Sequence, residues 1–355
     1  MENLITVDLF CGAGGLTHGF IKEGVKVVAG VDSDLSCKYA YEKNNNAQFL
    51  HRNIEELSAE EISVFYPDGA VKVLVGCAPC QPFSTYAKGK TKKSPDKKWK
   101  LLYEFSRLIK EIHPDIISME NVPGLKKHRV FRDFVRDLER LGYEVSYYIV
   151  YCPDYGIPQS RTRLVLFASK YGKIDLIEKT HMPENYKTVK DAIDNLEPLE
   201  DGEVSYLDTL HRASKLSDTN KLRIINTPEG GSWKDWDESL VLSCHKKESG
   251  KSYSGVYGRM RWDMPAPTMT TQCYGFGNGR FGHPEQHRAI SLREAAFIQT
   301  FPEYYEFVEP DDSFFIKVVA RHIGNAVPVD MGRVIARSIK RHITERDIKN
   351  IKNIN

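Results

Sequence analysis

The sequence predicts a doubly wound α/β sheet accompanied by a smaller, irregular second domain, and three observations carry that expectation. Short β-branched runs alternate with amphipathic stretches through the first half of the chain. A glycine-rich turn joins the first run to the stretch that follows it. After about residue 170 the periodicity gives way to polar, turn-rich sequence. Strands that alternate with helices argue for a parallel sheet with helices on its faces.

In chain order, residues 4–10 read as a buried strand and 16–23 as a helix. Residues 25–31 form a second β-branched run, and 35–44 suit a helix. A third strand is expected at 71–75. Residues 101–112 are apolar at helical spacing and end before Pro114. A fourth strand is expected at 115–119, and an amphipathic helix at 130–141 stops at Gly142. Runs at 143–151 and 163–168 complete the set. From 178 to 258 the chain is weakly periodic, with Trp233 and Trp236 among Gly, Ser, Lys and Asp, and helical character returns at 327–343. The expected division is 1–182, 183–312, and a segment 313–355 that returns to the first domain.

At 355 residues the chain can bury a full-sized core. Its formal net charge is only +2, so a nucleic-acid partner must be argued from local charge. No long uncharged apolar stretch predicts a membrane span, and the first residues carry no secretory pattern. Seven cysteines, an odd number in a large chain, suit reduced thiols in a cytoplasmic setting. Beside Cys77 and Cys80, no second Cys or His pair stands at zinc-ligand spacing, so no metal is expected.

Asp8-Leu9-Phe10-Cys11-Gly12-Ala13-Gly14-Gly15 sits where the first strand meets its helix, and Asp32 follows at the end of the second strand. Glycines there let backbone approach a ligand, and an acid at the second strand end accepts from ribose hydroxyls. Thr17 stands where a dinucleotide fingerprint has its third glycine, which favours a different adenosine ligand. A plain structural turn is the alternative. Asn53 lies near the next strand end, where it can face an adenine edge or simply shape a surface turn.

Gly76-Cys77-Ala78-Pro79-Cys80-Gln81-Pro82-Phe83-Ser84 follows the third strong strand directly. A cysteine past the carboxyl end of a central parallel strand faces the ligand crevice. A redox pair, a zinc site and buried structural thiols are the alternatives to a catalytic thiolate held rigid by Pro79.

The run Pro79 to Ser84 resembles the signature of the cytosine-5 DNA methyltransferase family, of the bacterial restriction-modification type. Further blocks of that family occur in order: Asp8 to Gly15, Glu120-Asn121-Val122, Gln159-Ser160-Arg161-Thr162-Arg163, Arg293 to Pro302, and Gly324-Asn325-Ala326-Val327-Pro328. The resemblance spans nearly the whole chain. It implies a Rossmann-like methyltransferase domain that uses S-adenosylmethionine, leaving S-adenosylhomocysteine, with residues 183–312 as a target-recognition domain. It also implies Cys80 as the nucleophile that adds to carbon 6 of cytosine, Glu120 at ring nitrogen 3 and the amino group, and Arg163 at the base carbonyl. Arg161 is grouped with these three catalytic residues, its own role open between a phosphate contact and a buried structural ion pair. Implied cofactor contacts come from Phe10, Gly12, Gly14, Gly15, Leu16, Asp32, Ser33, Asn53, Ile54, Pro79, Asn325 and Val327. Ser33 and Asn53 depart from the family, which usually has an aromatic and an aspartate there.

Between residues 87 and 100, Lys88, Lys90, Lys92, Lys93, Lys97, Lys98 and Lys100 face a single acid, Asp96. Charge runs are usually solvated loops, but this one adjoins the nucleophile and can close over phosphates. Ser84, Lys88, Lys90, Lys92, Lys93 and, from the second domain, Arg280 are the expected DNA contacts. The expected partner is double-stranded DNA, with the target base flipped from the stack. The protein is expected to act as a monomer, with a cognate restriction endonuclease working separately. A tRNA methyltransferase on the same scaffold, an inactive DNA-binding protein and a thioredoxin-like oxidoreductase are the rivals.

Overall fold

The computed structural model describes residues 3–79, 95–253, 255–310 and 313–354. Contacts divide the chain into two compact units. The larger comprises Met1–Tyr151, Thr162–Lys179 and Val327–Asn355, and the smaller comprises Cys152–Arg161 and Thr180–Ala326.

The larger unit is built on seven strands: β1 (Leu4–Leu9), β2 (Lys26–Asp32), β3 (Gln48–His51), β4 (Val71–Gly76), β5 (Ile116–Asn121), β6 (Glu144–Tyr151) and, after a short β7 (Gln159–Ser160) that belongs to the smaller unit, β8 (Thr162–Ser169). Their order is β3-β2-β1-β4-β5-β8-β6. All run parallel except β8, which is antiparallel to both neighbours. Parallel pairing needs a crossover of a dozen or more residues. The link from Tyr151 to Thr162 is shorter than that, so β8 comes back against β6.

Helices α1 (Gly15–Lys22), α2 (Lys38–Asn45), α3 (Ala59–Ser63), α4 (Pro95–Ile112) and α5 (Arg129–Arg140) alternate with these strands. Val7, Leu9, Leu74, Ile117, Met119, Leu164 and Leu166 share one core with Phe105, Leu108 and Ile109 of α4 and Phe134 and Leu138 of α5. Successive strand residues face opposite ways. Asp8 therefore points away from that core, and its carboxylate accepts from Thr17 Oγ1 of α1 at 2.7 Å. Strand order reverses between β1 and β4, the switch point outside whose carboxyl ends ligands bind in open α/β sheets.

The smaller unit has little regular structure. It holds α6 (Val189–Ile193), α7 (Asp218–Ile225), α8 (Ser243–Lys246), α9 (Glu248–Lys251), the two-residue β9 (Ala266–Pro267) paired with β7, α10 (Leu292–Ile298) and α11 (Ile316–Asn325). Irregular backbone leaves carbonyls that need donors, and arginine supplies several donors in a fixed fork. Arg259 donates to the carbonyls of Thr227, Ile224, His283 and Gln286. Fully buried Arg288 pairs bidentately with Glu294 at 2.8 and 2.7 Å, and Ser291 closes a capping box on the same glutamate. Burial opposes ionisation of Glu294, but the Arg288 hydrogen bonds and charge outweigh it and pull its pKa down to about 2. Trp233, Trp236 and Phe276 form an adjoining apolar cluster.

The C-terminal helix α12 (Val329–Ile354) crosses α1 at touching distance. A Cβ on Gly19 would lie 2.3 Å from Val329 O and 2.7 Å from Arg333 N, and one on Gly332 would lie 2.7 Å from Leu16 O. Among the described residues no helix is long and apolar enough to cross a membrane.

Two outcomes follow from these contacts. Gly19→Ala forces α1 and α12 apart and should lower stability by roughly 1–3 kcal/mol, read as a lower urea midpoint; an unchanged midpoint would mean the helices do not meet there. A carboxylate with a depressed folded pKa stabilises above its unfolded value and loses that contribution as pH falls through the folded one. Wild-type stability should therefore drop between about pH 4.5 and 2 through Glu294, and Glu294→Gln should be less stable at neutral pH with a shallower acid slope in denaturant titrations.

Candidate active site

Strand register assembles the site in the larger unit. Gly76 of β4 pairs with Met119 of β5, so the next residues, Cys77 and Glu120, come side by side. Glu120 pairs with Val165 of β8, and Arg163, two residues away, emerges on the same face. A diagonal neighbour at that spacing is within reach of a long side chain.

The side chains meet accordingly. Glu120 is buried, with Arg163 Nε 2.8 Å from its Oε1 and the Cys77 thiol donating to its Oε2 at 2.8 Å. The Arg163 N–H does not point along the line to Oε1. That oxygen is thus ion-paired yet accepts no aligned hydrogen bond from a described residue. Arg163 also donates to the Thr162 carbonyl at 2.8 Å, which fixes its fork. Asn121 turns inward, donating to Ala78 O at 3.0 Å and accepting from Val122 N at 2.9 Å. It thereby ties the end of β5 to the segment that leads to Pro79, which is exposed. Cys80, Ser84, Lys88, Lys90, Lys92 and Lys93 lie outside the described residues.

The glycine turn stands on the other side of the switch point. Phe10 and Gly12 both have positive φ, at 60° and 52°, and Gly14 caps α1 with φ 91°. Nothing lies within 4 Å of where a Cβ on Gly12 would be. The Gly12 N–H and the Asp34 N–H each donate to Asp32, at 2.9 Å, which fixes its carboxylate. Burial lifts the Asp32 pKa, with those N–H bonds pulling the other way. A carboxylate has about four acceptor positions, so Asp32 can still receive ribose hydroxyls. Burial also raises Asp8, beneath the turn, to about 7, and its Oδ1 has no hydrogen-bond partner among the described residues. The Phe10 ring is half-buried at the edge of the core. An open, glycine-lined turn beside a fixed acid fits an adenosine-type cofactor.

The remaining expected contacts divide. Gly15 and Leu16 are buried in the first turn of α1. Ser33 is exposed, and its carbonyl meets His51 Nε2 at 3.1 Å. Asn53 accepts from Glu55 N at 3.2 Å, which is turn chemistry, and keeps one lone pair open. Ile54 sits in the core. Asn325 is exposed at the end of α11 in the smaller unit, whereas Val327 is buried in the larger.

Two of the expected arginines bond within the smaller unit. Arg280, expected on phosphate, donates to the carbonyls of Gly230, Gly231 and Arg259 and closes the fold of the smaller unit. Arg161 is buried in that same unit, with donors toward Met269 O and Ala326 O at 3.4 Å, carbonyl partners where an ion pair was one of its two readings. The sequence reading missed the Cys77 bond to Glu120 and the Asn121 tie to Ala78. Register from β4 to β5 was the signal for the first.

A family model for C-5 cytosine-specific DNA methylases matches residues 4–341. The chain belongs to that family. The methylase is 58% identical over 340 residues to the Type II methylase M.HgiDII of Herpetosiphon aurantiacus, spanning 95% of each chain. It is 33% identical over 348 residues to the Type II methyltransferase M.PspPI of Psychrobacter sp. (strain TA137), covering 94% of this chain and 78% of that one. Its fold is similar to that of a prophage-encoded E. coli protein, with a TM-score of 0.71 at 20% identity over 96% and 99% of the two chains. It is also similar to the methyltransferase EhMeth of Entamoeba histolytica, with a TM-score of 0.66 at 16% identity over 97% and 99%.

If the Cys77 thiol holds the Glu120 carboxylate, Cys77→Ala should lower the methylation rate roughly 2- to 10-fold, the worth of one such hydrogen bond. Cys77→Ser, whose hydroxyl donates in its place, should keep most of it. Equal loss in both variants, measured as methyl incorporation into DNA, would count against a hydrogen-bonding role.

Proposed function

We propose that the protein transfers a methyl group from S-adenosylmethionine to carbon 5 of cytosine within a specific double-stranded DNA sequence, and that it does so as the modification partner of a Type II restriction endonuclease. The observation that carries this reading is the register-fixed Glu120–Arg163 pair beside the segment after β4, within a chain of this family.

Cytosine carbon 5 belongs to an electron-poor ring and is a weak nucleophile. Addition of the Cys80 thiolate to carbon 6 makes carbon 5 electron-rich. Cysteine suits the step because it is partly ionised near neutral pH and intrinsically very nucleophilic. The negative charge that develops on the ring must be met as it forms. Glu120 accepts from the exocyclic amino group and holds a proton at ring nitrogen 3. Arg163 donates to the base carbonyl and orients the carboxylate. The cofactor supplies an electrophilic methyl on a sulfonium, held by Asp32 at the ribose, Phe10 at the adenine and the backbone from Gly12 to Gly15. Water takes the carbon 5 proton, the electron pair of that bond re-forms the double bond between carbons 5 and 6, and the Cys80 thiolate leaves. The target atom is out of reach inside a duplex, so the base must leave the stack. We assign target recognition to the smaller domain and the Lys88–Lys93 segment to DNA phosphates.

Relatives named Type II methylase and methyltransferase support the restriction-modification setting. Expression in a methylation-free bacterial host followed by bisulfite sequencing should give one modified cytosine context. DNA from that host should resist an endonuclease cutting the same context. Cys80→Ser should abolish methyl transfer and keep DNA binding, and 5-fluorocytosine in the target should trap the wild-type protein covalently. Full turnover by Cys80→Ser, or methyl groups entering tRNA and not DNA, would defeat the reading.

A further inference from the structure

Directly beyond Glu120, the chain from residue 122 to 136 carries Lys126, Lys127, His128, Arg129, Arg132 and Arg136 against one acid, Asp133. Asp133 is already shared by Arg129, Arg136 and the Tyr103 hydroxyl. Lys126, Lys127 and Arg132 are exposed and have no acidic partner among the described residues.

The local structure makes this arrangement unfavourable for a free surface. Lys126 and Lys127 end a 3-10 turn (Pro123–Lys127) whose buried Leu125 anchors it, and α5 begins two residues later. The start of a helix carries partial positive charge, which acids stabilise and cations oppose. The first turn of α5 has no acid and no side-chain cap, and it opens with Arg129. Arg132 folds back so that its Nη1 donates to the Lys127 carbonyl at 3.3 Å, which holds its charge beside the lysines. Lys126 Nζ rests 5.0 Å from the centre of the exposed Tyr147 ring on β6, itself packed edge-on against Phe131. Tyr147 pairs with Leu166, which pairs with Met119. The ammonium therefore lies two strands from β5, on the side of the sheet that carries Met119 and α5.

We propose that Lys126, Lys127 and Arg132 form a second phosphate-contact surface for duplex DNA, additional to the lysine-rich segment that follows Cys80 in the sequence. An anion at this point relieves both the mutual repulsion of the cations and their conflict with the helix start. The inference rests on the reading of the protein as a DNA-modifying enzyme.

The test compares wild type with Lys126→Gln/Lys127→Gln/Arg132→Gln, which keeps long polar side chains and removes three charges. Each phosphate contact contributes about 0.9 to the slope of log affinity against log salt. The variant should therefore lose about 2–3 of that slope on a mixed-sequence duplex, with a raised KM for DNA and an unchanged rate at saturating DNA. Its thermal midpoint should be equal or higher, because repulsion has been removed. An unchanged salt slope with wild-type folding overturns the proposal. So does a loss of maximal rate with no change in slope, or a change seen with tRNA and not with duplex DNA. A reduced slope in a protein whose wild type methylates no DNA cytosine would uphold the surface and instead defeat the proposed reaction.

Discussion

The chemistry of the larger unit depends on one constraint, the register that carries β4 through β5 to β8. Gly76 against Met119 sets Cys77 beside Glu120, and Glu120 against Val165 sets Arg163 on the same face. A slip of one residue would turn Glu120 to the opposite face of the sheet. The core prevents it, because Ile117 and Met119 are buried in step with Leu164 and Leu166 among the aromatic side chains of α4 and α5. The precision of the acid–guanidinium pair is thus inherited from hydrophobic alternation. The antiparallel sense of β8 matters equally, since it brings the start of that strand, where Arg163 lies, to the carboxyl end of β5.

The same sheet explains why two chemically different loops share one neighbourhood. The turn after β1 and the segment after β4 leave adjacent strands on either side of the switch point. The first is shaped to approach a ligand by backbone, with Phe10 and Gly12 at positive φ and Asp32 pinned by N–H groups. The second is tied down by the Asn121 amide on Ala78. Beneath the turn, α1 is held against α12 by glycines at the crossing, so residues from the end of the chain brace the loop near its beginning.

Much of this was legible in the sequence because the larger unit obeys local rules. Buried strands read as β-branched runs, the helices read at their own period, and the functional residues stand at strand ends. The strand-end positions of Asp32 and Glu120 were read that way. The carbonyl contacts of Arg280 were not, because they depend on partners distant in sequence. Cys77 was legible as a cysteine near a cysteine; its bond to Glu120 required the register. The smaller unit was legible only as irregular. Its organising contacts join Arg259 to Thr227 and Gln286, and Arg293 to Asp208, with no periodic signature.

That difference also explains why the net charge misleads. A formal charge of +2 counts every arginine alike, yet Arg161, Arg259, Arg280 and Arg288 are spent inside the smaller unit on carbonyls and a buried glutamate. They act as donors that let an irregular backbone be buried, and burial draws the pKa of Arg259 down to about 10. Arg161, Arg259 and Arg288 are buried. The cations available to a polyanion are the exposed ones with no carboxylate to serve. In the larger unit Lys126 and Lys127 meet that condition a few residues from Glu120. The quantity that bears on DNA binding is therefore the cationic charge left after the fold has used what it needs. By that measure a nearly neutral protein presents exposed cations without carboxylate partners on the side of its sheet that α5 covers.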